Sequence, residues 1–184
     1  MPKEPSPEFA LAVNLNDVAP GGTGISFEAD QRVRDALARR FGILEVMRLA
    51  GRAKVRPYRK NGLTLDCEFE AEVVQACVVT LEPVAQSIRE TFVQRYLPAD
   101  MIEPESVETD IEVAIDIDAE DAPEAMSGHG IDVGEAVTER LALAIDPYPR
   151  KAGEAYTGSR EGADDAPEKP ENPFAALEKL KKNY

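Results

Sequence analysis

The sequence has no tryptophan, a single histidine, two cysteines and only 6% aromatic residues among its 184 positions. With His129 alone, and Cys67 and Cys77 ten residues apart, no four-ligand zinc spacing exists. A Ser-His-acid arrangement would have to form inside Ser127-Gly128-His129-Gly130, so His129 is read as an incidental loop residue. No uncharged apolar run approaches the ~18 residues that span a bilayer, and Met1-Pro2-Lys3-Glu4-Pro5 lacks the charged-then-apolar order of a signal peptide. These absences predict a cytoplasmic protein with reduced thiols, no cofactor and no membrane partner. No titratable constellation converges in the sequence, which argues against an enzyme.

What the chain does have is charge, unevenly spread. The formal net charge is −14. Residues 31–60 nevertheless carry ten Lys/Arg against Asp35 and Glu45, a local +8, whereas residues 100–124 carry eleven Asp/Glu and no Lys, Arg or His. A strongly acidic whole opposes indiscriminate nucleic-acid binding, while a basic face can still contact phosphates. Within the acidic stretch, Asp116-x-Asp118-x-Glu120 resembles the opening of a calcium loop, but Asp121 stands where that loop needs glycine and Ser127 where it needs a bidentate acid. A solvated loop, a weak divalent-cation site and a docking patch for a basic partner all remain open for it.

The apolar pattern predicts a first strand over Phe9–Leu15, a turn at Ala19–Gly24 and a short extended piece at Ile25–Phe27. The glycines of that turn precede a strand-like run and lack the P-loop lysine, so they are a turn and not a phosphate cradle. A helix follows from about Ala29 to Phe41, with Val33, Ala36, Leu37 and Phe41 on one face, Asp30 at its start and Gly42 as its stop. A second helix starts at Asp132, with Glu135 in a capping-box position and Val133, Val137, Leu141 and Ala144 as its buried stripe.

Between the helices the sequence alternates. Met47, Leu49, Ala53 and Val55 oppose Arg48, Arg52, Lys54 and Arg56; after Lys60-Asn61-Gly62, the residues Leu63, Leu65, Cys67, Phe69, Ala71 and Val73 oppose Asp66, Glu68, Glu70 and Glu72. This is a hairpin, and Cys67 is on its apolar face as an inert buried thiol. A two-residue Asn61-Gly62 turn would set basic side chains opposite core residues. A three-residue Lys60-Asn61-Gly62 loop, with Gly62 supplying positive φ, restores parity and predicts Arg56 opposite Asp66, Lys54 opposite Glu68 and Arg52 opposite Glu70. Val73–Leu81 reads as a buried strand or its end, Val84–Leu97 as another long strand, Ile111–Ile117 as a further alternating run, and residues 119–130 as a polar loop. Residues 151–171 have the composition of a disordered linker, and Asn172-Pro173 opens a short helix with Phe174 and Leu177 on one side.

The run Cys77-Val78-Val79-Thr80-Leu81-Glu82-Pro83-Val84, with Phe92 and Tyr96-Leu97-Pro98 beyond it, resembles the bacterial YceD family, the large ribosomal RNA subunit accumulation proteins. Asp132-Val133-Gly134-Glu135 through Glu139, Leu141-Ala142-Leu143 to Pro147-Tyr148-Pro149, and Asn172-Pro173-Phe174-Ala175-Ala176-Leu177 continue the resemblance in family order. Many members look like they carry a Cys-x-x-Cys-Leu turn with a basic residue inside. Here Thr80 stands in the second cysteine's place and Val79 replaces the basic residue, which removes a metal or redox role for that turn. The resemblance implies a non-enzymatic role in synthesis, processing or stability of large-subunit ribosomal RNA.

The reading is therefore one α+β domain over residues 8–150, a mostly antiparallel sheet or partly open barrel with two helices packed on it, then a linker at 151–171 and a helical motif at 172–184. Arg32, Arg39, Arg40, Arg48, Arg59 and Lys60 are the candidate RNA-binding residues, and Phe174 and Leu177 the candidate partner-binding residues. The expected partner is large-subunit ribosomal RNA or a ribosomal precursor. The alternative is an acidic adaptor or chaperone for a basic ribosomal protein, without direct RNA contact.

Overall fold

A computed structural model describes residues 7–102 and 122–151. Ile111–Ile117, most of the acidic segment, and the C-terminal linker and motif lie outside the described residues. The elements are β1 (Ala12–Asn14), β2 (Thr23–Glu28), α1 (Gln31–Phe41), β3 (Glu45–Tyr58), β4 (Gly62–Ala76), β5 (Pro83–Leu97), β6 (Glu124–Ala125), β7 (Gly130–Asp132) and α2 (Val133–Ala144). The main sheet runs β2-β3-β4-β5-β6, antiparallel throughout except for the β5–β6 pair, and it does not close; β1 and β7 form a separate antiparallel ribbon. The fold is α+β.

Alternation sets the two faces. Leu49, Ala53 and Val55 of β3, Leu63, Leu65, Cys67, Phe69, Ala71 and Val73 of β4, and Ile88, Phe92 and Tyr96 of β5 are buried on one side. Val133, Val137 and Leu141 of α2 and Ile131 of β7 join them in a single core. Helix α1 packs on β3 through Leu37 and Ala38, and the backbone N–H of Ala29, just ahead of it, donates to the Leu49 carbonyl at 2.8 Å. Its limits follow the sequence: the Asp30 carboxylate accepts from the Val33 N–H at 2.8 Å, and Gly42 ends it at φ 65°.

At α2 the Asp132 carboxylate accepts from the N–H groups of Gly134 and Glu135 and also from Leu11, so the helix cap ties down the chain entering β1. This contact takes the Leu11 N–H away from any ladder, and the first strand is consequently Ala12–Asn14 instead of the seven residues the alternation predicts. Glu135 turns outward to Arg40 rather than back to the cap.

Three expectations within the hairpin change. Its loop has three residues, but they are Arg59-Lys60-Asn61, so Tyr58 faces Gly62, Lys54 faces Asp66, Arg52 faces Glu68 and Ala50 faces Glu70. Parity is kept and the register moves by two. Positive φ falls on Arg59 (48°) and Asn61 (71°), while Gly62 is needed for space: a Cβ there would sit 2.7 Å from the Leu97 side chain and from the Tyr58 and Tyr96 carbonyls. Met47 is exposed, because a bulge between Val46 and Arg48 hands the inward position to Val46. The run after Val73 stops as a strand at Ala76, and Val78 and Leu81 face outward from the turn that follows. Within the predicted polar loop, residues 124–125 and 130 pair as strands β6 and the start of β7.

Candidate nucleic-acid interface

The outer face of the sheet is striped by charge. Arg48, Arg52, Lys54 and Arg56 of β3 lie beside Asp66, Glu68, Glu70 and Glu72 of β4, and Arg89 and Arg95 of β5 follow. Most of these cations are bound to carboxylates: Arg52 to Glu68, Arg89 to Glu70, Arg48 to Glu70 at 3.6 Å, and Arg56 to Asp66 through two hydrogen bonds of 2.9 Å. Arg56 reaches Asp66 diagonally, since Thr64 is its direct partner, so that predicted pair survives the shifted register.

The candidate RNA-binding residues separate into four groups. Arg40 is held by structure: its guanidinium grips the Glu135 carboxylate at 2.7 and 3.2 Å and Glu8 at 3.0 Å, and the bond to Glu135 above all raises its pKa further. A hydrogen bond from its own backbone, aided by Arg40, lowers the pKa of Glu8. Arg48 belongs to the striped face. Arg32 and Arg39 are exposed on α1 and have no carboxylate partner among the described residues. Arg59 and Lys60 form the hairpin tip, likewise exposed and without a carboxylate partner among the described residues. Leu49, which bonds to the lead-in of α1, is ten strand residues from Arg59, roughly 33 Å of extended chain. The sheet thus does not bring the helix arginines and the tip cations into one patch.

The tip has its own chemistry. The guanidinium of Arg59 lies 5.1 Å from the centre of the Tyr58 ring and that of Arg95 5.8 Å from it, so β5 contributes a second cation to the same aromatic. Lys54 and Arg56 approach from the outer face, over Gly22, where a Cβ would meet Arg56 Cγ at 2.8 Å and Lys54 Cε at 3.0 Å. Gly22 has φ 92° and closes the Ala19–Gly22 turn, which is a turn as expected. Beside the tip opens a cleft of about 390 Å³ lined by Asn16, Asn61, Asp100, Met101, Met126 and His129 among others. Tyr58, Lys54 and Arg95 were not among the candidates. Arg95 could be found only by knowing that β5 pairs with β4 in this register.

Away from the tip, two buried thiols and a phenol are shifted by their surroundings. Burial raises the Cys67 thiol to about 12, with the charge of Glu68 adding to it. Cys77 goes the other way, to about 7, because the Thr80 hydroxyl and the N–H groups of Thr80, Lys151 and Val79 point at its sulfur. Burial, and then Glu124, raises the Tyr96 phenol. Among the described residues no group of three or more His, Cys, Asp or Glu side chains is placed to hold a metal ion. No described helix is long and apolar enough to cross a membrane.

A family model for the large ribosomal RNA subunit accumulation protein YceD matches residues 65–181. The chain belongs to the YceD family. That span runs from within β4 through β5 and α2 and leaves out β1–β3, α1 and the basic tip at Arg59 and Lys60. No curated protein and no solved structure shows a significant match. The family name ties the chain to accumulation of large-subunit ribosomal RNA, and it names no reaction.

Proposed function

We propose that the protein supports large-subunit ribosomal RNA accumulation by binding RNA phosphates at the hairpin tip, through Arg59 and Lys60, with Lys54 and Arg95 beside them. One observation carries this reading: the outer-face arginines of β3 have carboxylates bound to them, and the tip cations project past the end of that pairing next to an aromatic ring. Arg59 and Lys60, which have no carboxylate partner among the described residues, release counterions on meeting a phosphate at no cost in broken ion pairs there. Tyr58, already stacked against guanidinium, offers a ring edge or face to an unpaired base. Arg32 and Arg39 form a second, distant phosphate contact on α1, suited to an RNA that spans the molecule. The acidic surroundings discourage RNA that does not fit both. Binding is non-enzymatic.

The test is co-sedimentation of the full chain with ribosomal precursors, together with large-subunit RNA levels, in cells carrying Arg59→Glu with Lys60→Glu. The variant is expected to fold and to lose both. A folded variant with full co-sedimentation and RNA levels would move the function to the acidic-adaptor reading, which the eleven acids of residues 100–124 favour.

A further inference from the structure

The cleft beside the hairpin tip is assembled from four separate stretches of chain. The turn after β1 supplies Asn16, the hairpin loop Asn61, the turn after β5 Asp100 and Met101, and the loop between β6 and β7 Met126 and His129. Backbone hydrogen bonds hold these stretches in place: the Leu15 N–H donates to the His129 carbonyl at 2.9 Å, the Met126 N–H to the Leu97 carbonyl at 2.9 Å, and the Met101 N–H to the Pro98 carbonyl at 2.8 Å. Asn61 is positioned through its neighbour, since Gly62 is packed against Leu97 and the Tyr96 carbonyl. The walls are therefore set before any ligand arrives, which spares binding the cost of ordering them.

The lining is selective in its chemistry. The side chains of Asn16, Asn61, Asp100 and His129 have no hydrogen-bond or ion-pair partner among the described residues, so their capacity is left to a ligand. Met101 and the buried Met126 add soft, polarizable surface of the kind that packs against rings. Asp100 is the one carboxylate in the lining, and it repels phosphate; Arg59 and Lys60, the two residues before Asn61, attract it. At about 390 Å³ the cleft falls in the range of small-ligand sites, about 300–1,000 Å³. It suits an uncharged ring with a polar edge, joined to phosphates that stay outside.

We infer that this cleft receives a guanine base of unpaired RNA whose flanking phosphates lie on Arg59 and Lys60, an inference that rests on the tip reading and gives it base specificity. Guanine alone among the four RNA bases presents two adjacent donors, N1–H and the N2 amino group, which one carboxylate accepts together. Adenine and cytosine set a ring-nitrogen acceptor beside their amino group, and uracil flanks its N3–H with two carbonyls, so each turns an acceptor toward Asp100. The amide groups of Asn16 and Asn61 are donors for guanine O6 and N7. The His129 imidazole and the methionine thioethers offer surfaces for the ring, as unpaired bases require.

Fluorescence anisotropy of the full chain tests this with a labelled octamer of uridine and the same octamer carrying one central guanosine, adenosine or inosine, each at two salt concentrations. The guanosine octamer is expected to bind about tenfold more tightly than the uridine and adenosine octamers, the scale of hydrogen bonds to a charged group. Inosine, which lacks the N2 amino group, should lose most of that gain. Asp100→Asn should abolish the preference for guanosine, and Asn61→Gly should reduce it; both positions are exposed turns, and glycine adopts the φ of 71° at Asn61 without strain. A preference that survives Asp100→Asn would overturn the proposal. Equal binding of all four octamers, with a salt slope that Arg59→Glu/Lys60→Glu still flattens, would overturn the cleft and leave the tip standing. Should that reversal leave the slope unchanged, the tip reading falls, and free guanosine, which carries no phosphate, decides the cleft by itself. Amide shifts at residues 100–101, 126 and 129 that guanosine moves and adenosine does not would support it, and unmoved shifts would overturn it.

Discussion

The outer face of the sheet and the tip of its long hairpin draw on the same residue types for different ends. On the face, Arg48, Arg52, Arg56 and Arg89 are bound to Glu68, Glu70 and Asp66, some directly across the ladder and some diagonally. At the tip, Arg59 and Lys60 lie beyond the last cross-strand carboxylate, neither has a carboxylate partner among the described residues, and the Arg59 guanidinium is set against the Tyr58 ring. The lesson is that a run of basic residues in a sequence divides by register. A cation opposite an acid is architecture, and one past the end of the ladder is available to a ligand.

The comparison breaks most visibly if the sheet itself is disturbed. At Gly51 an added Cβ would lie 2.5 Å from the Glu68 carbonyl, 2.6 Å from the Phe27 ring and 2.8 Å from Phe69 Cβ, two of them unable to move without the strands. Gly51→Ala is expected to lower stability by about 2–3 kcal/mol in urea unfolding, as an overpacked core does. A loss below about 0.5 kcal/mol would show that the strands can separate there.

Arg40 sharpens the division. Arg40→Gln should cost about 1 kcal/mol, because it joins Glu8 and Glu135 across distant parts of the chain while remaining about one-third exposed and screened. It should leave RNA affinity unchanged. Stability intact with affinity lost would place Arg40 at the tip's task after all. The pH dependence follows in sign: the Glu8 pKa is lowered on folding, so its contribution is present above the ordinary carboxylate value of 4.5 and disappears as pH falls through the lower folded value. The wild type's advantage over Arg40→Gln should shrink in the same direction.

On the striped face, exchanging charges between Arg52 and Glu68 should show a coupling of about 0.5 kcal/mol in a double-mutant cycle, the value of an exposed cross-strand pair. Arg52 with Glu70, the pair the earlier register would require, should show less. Smallest of all is Glu139, whose pKa is raised by burial and then by Glu124 and Glu135. A raised folded pKa means that its ionised form opposes folding. Glu139→Gln should therefore gain slightly in thermal stability at pH 7 and lose that gain below pH ~4.5.

How far the sequence announced these features depends on the reach of the interactions. Asp30, Gly42 and Asp132 were legible because caps act within a few residues. Hairpin parity was legible because the period of two permits no other pairing of core with core. Register was not, since it turned on Arg59 and Asn61 taking positive φ while Gly62 was required for contact with Leu97 and Tyr96. The engagement of Arg40 was hidden for another reason: Glu8 and Glu135 are 32 and 95 residues away. The same holds for Arg95, which reaches Tyr58 only because β3, β4 and β5 align.

The salt dependence of ribosomal RNA binding tests the central claim most directly. Affinities of wild type and Arg59→Glu/Lys60→Glu, measured across about 50–200 mM salt, give the slope of log K against log salt, near −0.7 to −0.9 for each phosphate contact. If the tip contacts phosphate, removing its two cations should flatten the slope by about 1.5 and weaken binding most at low salt. Superimposable slopes for the two proteins would contradict the account.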